Sequence, residues 1–431
     1  MRQPPPRNRA RMLGCVVAAA LAASLIPSCV RQARSDHAFA IAIRSLERAP
    51  EVRVLIAKGT DHTVAIDGPF RIESGTLREP TGTAAKLSAC RPALSGTGVS
   101  LGGTSYPASR LLLRPETPET GAVRIDGVRY RGDLSIVRQG ENLFLVNVLN
   151  LEWYVAGVVG GELPIEWPVE ALRAQAVAAR SYAHFMTSHR RAQGPRIYDL
   201  ESTTQDQRYV GMLKEASERE RRILFQGAVL PTEGRILGFA GELLCTYYHS
   251  TCGGRTEDAH IVHRCKSTPP LCGVRCPTCR TSPFHRWEAQ ATAREAASAL
   301  EALGIGAKLG RMVRIEPKPP EEGRRLMSVR LVGTSGTQTV SASRFRTAVN
   351  TQISRRAAVT AQTATALKPL VHSNAFAATV QPDGSWRFTG RGWGHGSGMC
   401  QYGACGMARD GSTFADILAH YYPGSDLTKI Y

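Results

Sequence analysis

Between Val52 and about Asn150, apolar and polar residues alternate in short runs separated by glycine and proline. Val52-Arg53-Val54-Leu55-Ile56, Ala122-Val123-Arg124-Ile125 and Leu143-Phe144-Leu145-Val146 are examples. A period of two with such punctuation predicts a β-rich module. At Leu151 the period changes. Leu151, Val155, Val158 and Glu162 fall at i, i+4, i+7 and i+11, one face of a helix that stops before Pro164. Pro168, a favoured first helical residue, opens a second helix running to about Ser188. Its apolar stripe is Val169, Leu172, Ala176, Ala179 and Ala183, with Arg180 beside the stripe rather than opposite it. Further on, Ile223-Leu224-Phe225 and Leu243 to His249 read as strands, and Glu288 to Leu303 as a helix. The arginine- and proline-rich stretch 311–326 reads as an exposed connection, 390–406 as a glycine-rich loop, and Thr413 to Tyr422 as a short helix. The class is α+β: a β-rich N-terminal part, then a mixed core with two consecutive helices and a glycine-rich C-terminal loop. No internal repeat is visible.

The N-terminus departs from both patterns. Arg2, Arg7, Arg9 and Arg11 precede an apolar run from Met12 to Ile26, the layout of a secretory signal. Leu25-Ile26-Pro27-Ser28-Cys29 then resembles a lipobox, which makes Cys29 the lipidation candidate; ordinary cleavage releasing a soluble protein is the alternative. No other apolar run approaches the roughly 18 residues of a spanning helix. The 431 residues suffice for two or three domains, and 42% hydrophobic with 21% charged residues excludes disorder throughout. The net charge of +18 becomes +14 once residues 1–28 are removed. Such a surface attracts anionic partners such as lipid headgroups, wall carboxylates or nucleic acid. Export, and the lack of a basic run interleaved with aromatics, argue against nucleic acid.

Three features carry candidate chemistry. Glu162 lies on the apolar face at the negative end of its helix, where lost solvation and the helix dipole both raise a carboxyl pKa. A carboxyl kept protonated near neutral pH suits a general acid for glycosidic cleavage. The alternative is a structural glutamate paired with an arginine, for which Arg180 is the obvious candidate. Second, the loop from Gly390 to Ala404 has glycine at alternating positions, exposing His395, Gln401 and Tyr402 to a ligand. It has neither the phosphate-loop ending nor a dinucleotide-binding context. Third, of 11 cysteines, nine remain after Cys15 and Cys29 are set aside, and six of these fall between Cys245 and Cys279. Cys265, Cys272, Cys276 and Cys279 have zinc-like spacings, but in an exported chain the same residues equally form disulfides, with free thiols a third outcome. A zinc hydrolase built on these cysteines and His249 finds no HExxH or comparable helical ligand pair.

Three segments resemble the stage II sporulation protein D family, also described as amidase-enhancer or LytB-like proteins. They are Leu151 to Pro164 continuing through Trp167 to Tyr182, Tyr248-His249-Ser250-Thr251-Cys252-Gly253-Gly254-Arg255-Thr256-Glu257, and Gly394-His395-Gly396-Ser397-Gly398-Met399-Cys400-Gln401-Tyr402-Gly403-Ala404. Tyr130-Arg131-Gly132 fits the family's amino-terminal part. The resemblance implies a lytic transglycosylase acting on peptidoglycan glycan strands, preferably those stripped of stem peptides. Glu162 falls on the family's catalytic glutamate and Arg180 on a functional arginine. Gln175, His249, Ser250, His395, Gln401 and Tyr402 are the further substrate-binding candidates.

Cys252 and Cys400 stand where the family commonly has serine. The two replacements suggest a Cys252–Cys400 disulfide, or metal ligation shared with the cysteine-rich insertion. The reaction requires no cofactor, and zinc is an alternative role for the cysteines. The expected layout is a signal peptide over 1–28, a tether over 30–50, a β-rich part over 51–140 and a catalytic domain over 141–431, with the insertion at about 252–287. The expected partners are glycan strands, a cell-wall amidase and, through the N-terminal lipid, a membrane. The expected location is the cell envelope. The rival function is a non-catalytic glycan-binding protein that presents strands to an amidase.

Overall fold

In the strand Asn142–Asn150, residues 143 to 149 are all buried, so both of its faces are covered. It lies inside a seven-stranded sheet ordered Leu200–Glu201, Glu51–Lys58, Asn142–Asn150, Asp133–Gln139, Arg110–Pro115, Phe70–Ser74 and Glu79–Ala84. Neighbours pair antiparallel except Leu200–Glu201, which runs parallel to Glu51–Lys58. A four-stranded and a three-stranded sheet complete the N-terminal part. This computed structural model describes residues 48–75, 79–117, 122–212, 222–318, 324–360 and 370–431. The leader, Cys29 and nearly all of the tether therefore lie outside the described residues. Residues 50–431 form one compact unit. Among the described residues no helix is long and apolar enough to cross a membrane.

The chain leaves the sheet directly into α1 (Leu151–Glu162), capped where the Asn150 side chain accepts from the Trp153 amide at 3.0 Å. The helix stops at Leu163, whose backbone is extended, just before Pro164. Next comes α2 (Val169–Ala192), with Pro168 as its cap rather than its first turn. The alanines of α2 leave little side-chain bulk between it and its neighbours. Ala171, Ala174, Ala176, Ala178, Ala179 and Ala183 are all fully buried.

Residues 287–390 build a second lobe around their own core. Trp287–Ala291, Trp386–Gly390 and Phe376–Val380 form one three-stranded sheet, and Met312–Lys318, Ser328–Gly333 and Thr337–Ser341 another. The helices α3 (Ala293–Ala302) and α4 (Ala342–Thr360) pack with them. Phe345, Trp386 and Phe388 are buried at its centre. The chain then returns to the α1–α2 core through α5 (Gln401–Arg409) and α6 (Phe414–Tyr421).

Several sequence expectations are corrected here. Ile223-Leu224-Phe225 is not a strand but the start of a π-helical turn, Ile223–Val229, in which Phe225 stacks on Trp153 at 4.2 Å. A short apolar run does not by itself distinguish helix from strand. Between Leu243 and His249 only the pairs Glu242–Leu243 and Tyr248–His249 are strands. The expected helix from Glu288 begins at Ala293, because Trp287, Ala289 and Ala291 are buried while Glu288 and Gln290 are exposed. That period of two is masked by residues with high helix propensity. Within 311–326, Met312–Lys318 is a strand and Arg324 and Arg325 are largely enclosed, so the stretch is not simply an exposed connection. The loop expected over 390–406 ends at Gly398. From Gln401 the chain is helical, because the Cys400 sulfur caps the Gly403 amide. Any residue larger than glycine at 403 would have to displace its neighbours. A Cβ there would lie 1.9 Å from the Tyr421 hydroxyl and 2.5 Å from the Cys276 sulfur.

Arg180 is fully buried and makes a two-pronged ion pair with Glu152, both contacts at 2.7 Å. The Arg235 carbonyl takes a further Arg180 proton at 3.1 Å, and the Tyr431 hydroxyl donates to Glu152. The pair clamps α1 to α2. Breaking it from one side strands a charge in the core, so Arg180→Met is expected to lower the unfolding free energy by about 3–5 kcal/mol. The double variant Glu152→Leu/Arg180→Met should recover most of that loss. Denaturant unfolding of the three proteins checks both statements.

Candidate active site

The site begins with the glycines of α1. Gly157 and Gly161, one turn apart, leave a bare strip against which the segment 207–211 lies. A Cβ at Gly161 would come 2.4 Å from the Arg208 carbonyl, and one at Gly157 would come 2.5 Å from the Tyr209 ring. This approach carries the Arg208 amide to the end of the helix, where it donates to Glu162 Oε1 at 2.9 Å. Gln401, at the start of α5, donates to Glu162 Oε2 at 3.4 Å. The Tyr248 hydroxyl hydrogen-bonds the same carboxylate.

Behind these contacts runs a chain of neutral polar groups. Gln207 donates to the Tyr248 hydroxyl at 2.9 Å and accepts from Tyr154 at 3.1 Å, while Gln401 also donates to Gln175 Oε1 at 3.4 Å. Gln175 is fully buried, and its amide nitrogen has no hydrogen-bond partner among the described residues. Among the described residues Glu162 joins no ion pair. Burial pushes its pKa above the ordinary carboxylate range, and the bonds from the Arg208 amide, Gln401 and Tyr248, together with the positive charge of Arg208, pull the other way without cancelling it. The group is half-buried, hydrogen-bonded and open to one side. It can deliver a proton and take one back.

Tyr248 and Gln401 meet at Glu162 because their strands pair. Tyr248–His249 and Met399–Cys400 form a two-residue parallel ladder, with Tyr248 opposite Met399 and His249 opposite Cys400. Bridges between Thr251 and Trp393 and between Glu257 and Ser397 extend the contact. Beyond the ladder, the Tyr402 ring meets the edge of Trp167 at 4.9 Å, and the Tyr402 amide donates to the Ser250 carbonyl at 3.1 Å. These two half-buried aromatic rings, one of them on the residue after Gln401, are of a kind suited to packing against a sugar ring.

Other expected site residues lie elsewhere or act differently. Arg180 faces Glu152 in the core and not Glu162, since its position beside the apolar stripe turns it toward the interior. His395 offers no free ring nitrogen. Its Nε2 donates to the Tyr248 carbonyl at 2.8 Å and its Nδ1 accepts from the Ser397 amide at 3.1 Å, so it fastens one motif to the other. Burial holds its pKa well below the usual value. His249 is buried, bonds the Ser397 carbonyl through Nδ1 at 3.0 Å, and is pushed down to about 3 by desolvation. Ser250 is half-buried beside Thr251. Tyr248, Gln207, Trp167 and the Arg208 amide were not singled out in the sequence. Tyr248 carried a usable signal, because it precedes a motif histidine in a strand; Gln207 carried none.

The cysteines regroup as well. The sulfurs of Cys252, Cys276, Cys279 and Cys400 all lie within 4.8 Å of one another and are buried. Cys265 is half-exposed and Cys272 exposed, and neither belongs to the group. Cys252 and Cys400, expected as a disulfide or as shared metal ligands, are joined by no disulfide, and the Cys252 amide donates to the Cys400 sulfur at 3.2 Å.

Comparison with known proteins adds one family match and three relatives. Residues 139–239 match the family model described as stage II sporulation protein. The chain is 30% identical over 303 residues to an uncharacterized protein of Brachyspira hyodysenteriae, covering 70% of this chain and 73% of that one. It is 28% identical over 297 residues to stage II sporulation protein D of Bacillus subtilis, covering 66% of this chain and 76% of the relative. It is 25% identical over 355 residues to the amidase enhancer of Bacillus subtilis, covering 74% of this chain but only 47% of that protein.

Two outcomes follow from the electrostatics of Glu162. Its raised pKa means that ionising it costs folded-state stability, a cost absent below its unfolded pKa and complete once pH exceeds its folded one. Glu162→Gln should therefore gain stability relative to the native chain as pH rises through that window, measured by unfolding across a pH series. Tyr248→Phe removes a bond that favours the carboxylate, so it should move the Glu162 titration to higher pH, read from the carboxyl carbon by NMR.

Proposed function

The chain belongs to the stage II sporulation protein D family, and from that premise we propose that it is a lytic transglycosylase of peptidoglycan with Glu162 as its single acid/base. The observation that carries the reading is the Glu162 carboxyl: raised in pKa by burial and hydrogen-bonded by the Arg208 amide and Gln401. In the proposed reaction Glu162 gives its proton to the oxygen between C1 of N-acetylmuramic acid and O4 of N-acetylglucosamine. The carboxylate so formed takes a proton from the muramyl C6 hydroxyl, which attacks C1 and closes a 1,6-anhydro ring. Because the nucleophile belongs to the substrate, one enzymatic carboxylate suffices, whereas glycoside hydrolysis normally employs two. No cofactor enters the chemistry.

The hydrogen-bond donors around the carboxyl serve both half-steps. Gln401 and the Arg208 amide orient the carboxyl while leaving its pKa high, and stabilise the carboxylate while it waits for the second proton. Gln401, Tyr402 and Ser250 are the residues we place against sugar hydroxyl and N-acetyl groups, with Gln175 supporting Gln401 from behind. On this reading the protein works in the cell envelope on strands already stripped of stem peptides, exported by its leader and anchored through Cys29. A second reading, a glycan-binding protein that presents strands to a cell-wall amidase, is favoured by the amidase-enhancer relative.

Purified glycan strands without stem peptides decide between the readings. The native protein should yield anhydro-ended products by mass, and Glu162→Gln should be slower by about 10²–10⁴-fold while still binding strands. Water-gaining products would mean a hydrolase, and a Glu162→Gln variant with undiminished effect would leave only the presenting role. The rate should also fall as pH rises through the raised Glu162 pKa, since the deprotonated group has no proton to give.

A further inference from the structure

We propose that Cys252, Cys276, Cys279 and Cys400 are the ligands of a structural zinc ion that ties the cysteine-rich insertion to both motif strands. The four sulfurs lie within 4.8 Å of one another, and Cys252 and Cys279 are 3.6 Å apart. Zinc–sulfur bonds of about 2.3 Å in a tetrahedron place sulfurs about 3.8 Å apart, whereas a disulfide requires about 2.05 Å. The spacing is therefore that of four groups around a shared centre. The donors come from three places in the chain. Cys276 and Cys279 flank Pro277 in a C-x-x-C turn, Cys252 follows the Tyr248–His249 strand, and Cys400 ends the partner strand.

The surroundings suit an anionic tetrathiolate. Backbone amides point at the sulfurs: Cys252 and Gly403 donate to Cys400 at 3.2 and 3.4 Å, and Gly254 donates to Cys252 at 3.3 Å. The Tyr421 hydroxyl lies 3.1 Å from the Cys276 sulfur, and His285 Nδ1 lies 3.5 Å from that of Cys279. The buried Arg325 guanidinium reaches the Thr251 and Cys252 carbonyls at 3.3 and 3.4 Å, placing a positive charge beside the group. Outer contacts of this kind orient ligands and compensate the charge of the centre. Full burial, with no position left open to substrate, marks a structural rather than a catalytic site. On binding, each thiol releases its proton to solvent as its sulfur bonds the ion. Neither oxidant nor reductant is required.

The consequence for the active site rests on the functional reading above. Cys400 immediately precedes Gln401, and Cys252 lies two residues beyond Ser250, so ligation would hold both motif segments at the Glu162 carboxyl. The insertion would then be a clamp for the site.

The test uses the full mature chain purified without chelators. Elemental analysis should find about one zinc per chain, and X-ray absorption at the zinc edge should show four sulfurs at about 2.3 Å. Cys276→Ser and Cys400→Ser should lose the metal, whereas Cys265→Ser/Cys272→Ser should retain it in full. A metal-free native chain whose mass shows these thiols oxidised to disulfides overturns the proposal, as do an iron-loaded centre and a zinc ion held by Cys265 or Cys272. Metal content is read without any glycan assay, so it can fail while the transglycosylase reading stands, and the reverse.

Discussion

The two-residue ladder between Tyr248–His249 and Met399–Cys400 is the contact on which the site depends. It joins segments separated by a complete second lobe, and its register decides what reaches the end of α1. A slip of one residue would turn every side chain on the moving strand to the opposite face. Tyr248 would leave the carboxyl, Gln401 would leave with it, and the Cys252–Cys400 approach would be lost. So short a ladder provides few hydrogen bonds of its own. The register is held from outside, by His395 on the Tyr248 carbonyl, by the Tyr422 hydroxyl on the Tyr247 carbonyl, and by Arg325 on the carbonyls of Thr251, Cys252 and Gly394.

That arrangement separates two electrostatic duties. The strong charges of the helical core are spent on structure: Arg180 and Glu152 satisfy each other where no solvent reaches. The groups that touch Glu162 are amides, a phenol and a backbone N–H, and the positive charge of Arg208 acts on it without forming an ion pair. An arginine within ion-pair distance of Glu162 would hold it ionised and remove the proton that the proposed chemistry requires. Neutral donors orient the carboxyl at a much smaller cost to its pKa. The glycines of α1 are part of the same design, because they admit the segment bearing Gln207 and the Arg208 amide close enough to serve as donors.

The lobe over 287–390 and the cysteine-rich insertion before it explain why the two motif strands are so far apart in the chain. The lobe has its own apolar core, so it contributes stability without crowding the glutamate. It fastens to the motif loop through Arg325 and through the Trp287 indole, which donates to the Gly392 carbonyl at 2.8 Å. The two motif strands thus meet although a large lobe sits between them in the chain.

What the amino-acid sequence by itself determined here is local. The period-two runs before Asn150, the turn to helical period at Leu151, the stop at Pro164 and the burial of one face of α2 all follow from side chains within a few residues of one another. So does the place of Glu162 at the end of its helix, whereas the burial that raises its pKa came from packing. Partners were decided only by the tertiary structure. Periodicity says that Arg180 faces inward, not that Glu152 awaits it; it says nothing of Gln401 meeting Glu162 across 239 residues. The same limit separated Cys276 and Cys279 from their sequence neighbours Cys265 and Cys272 and grouped them with Cys252 and Cys400. A helical or strand pattern records which surface must leave water. Which surface it meets depends on how whole layers pack, and no short stretch of chain carries that information.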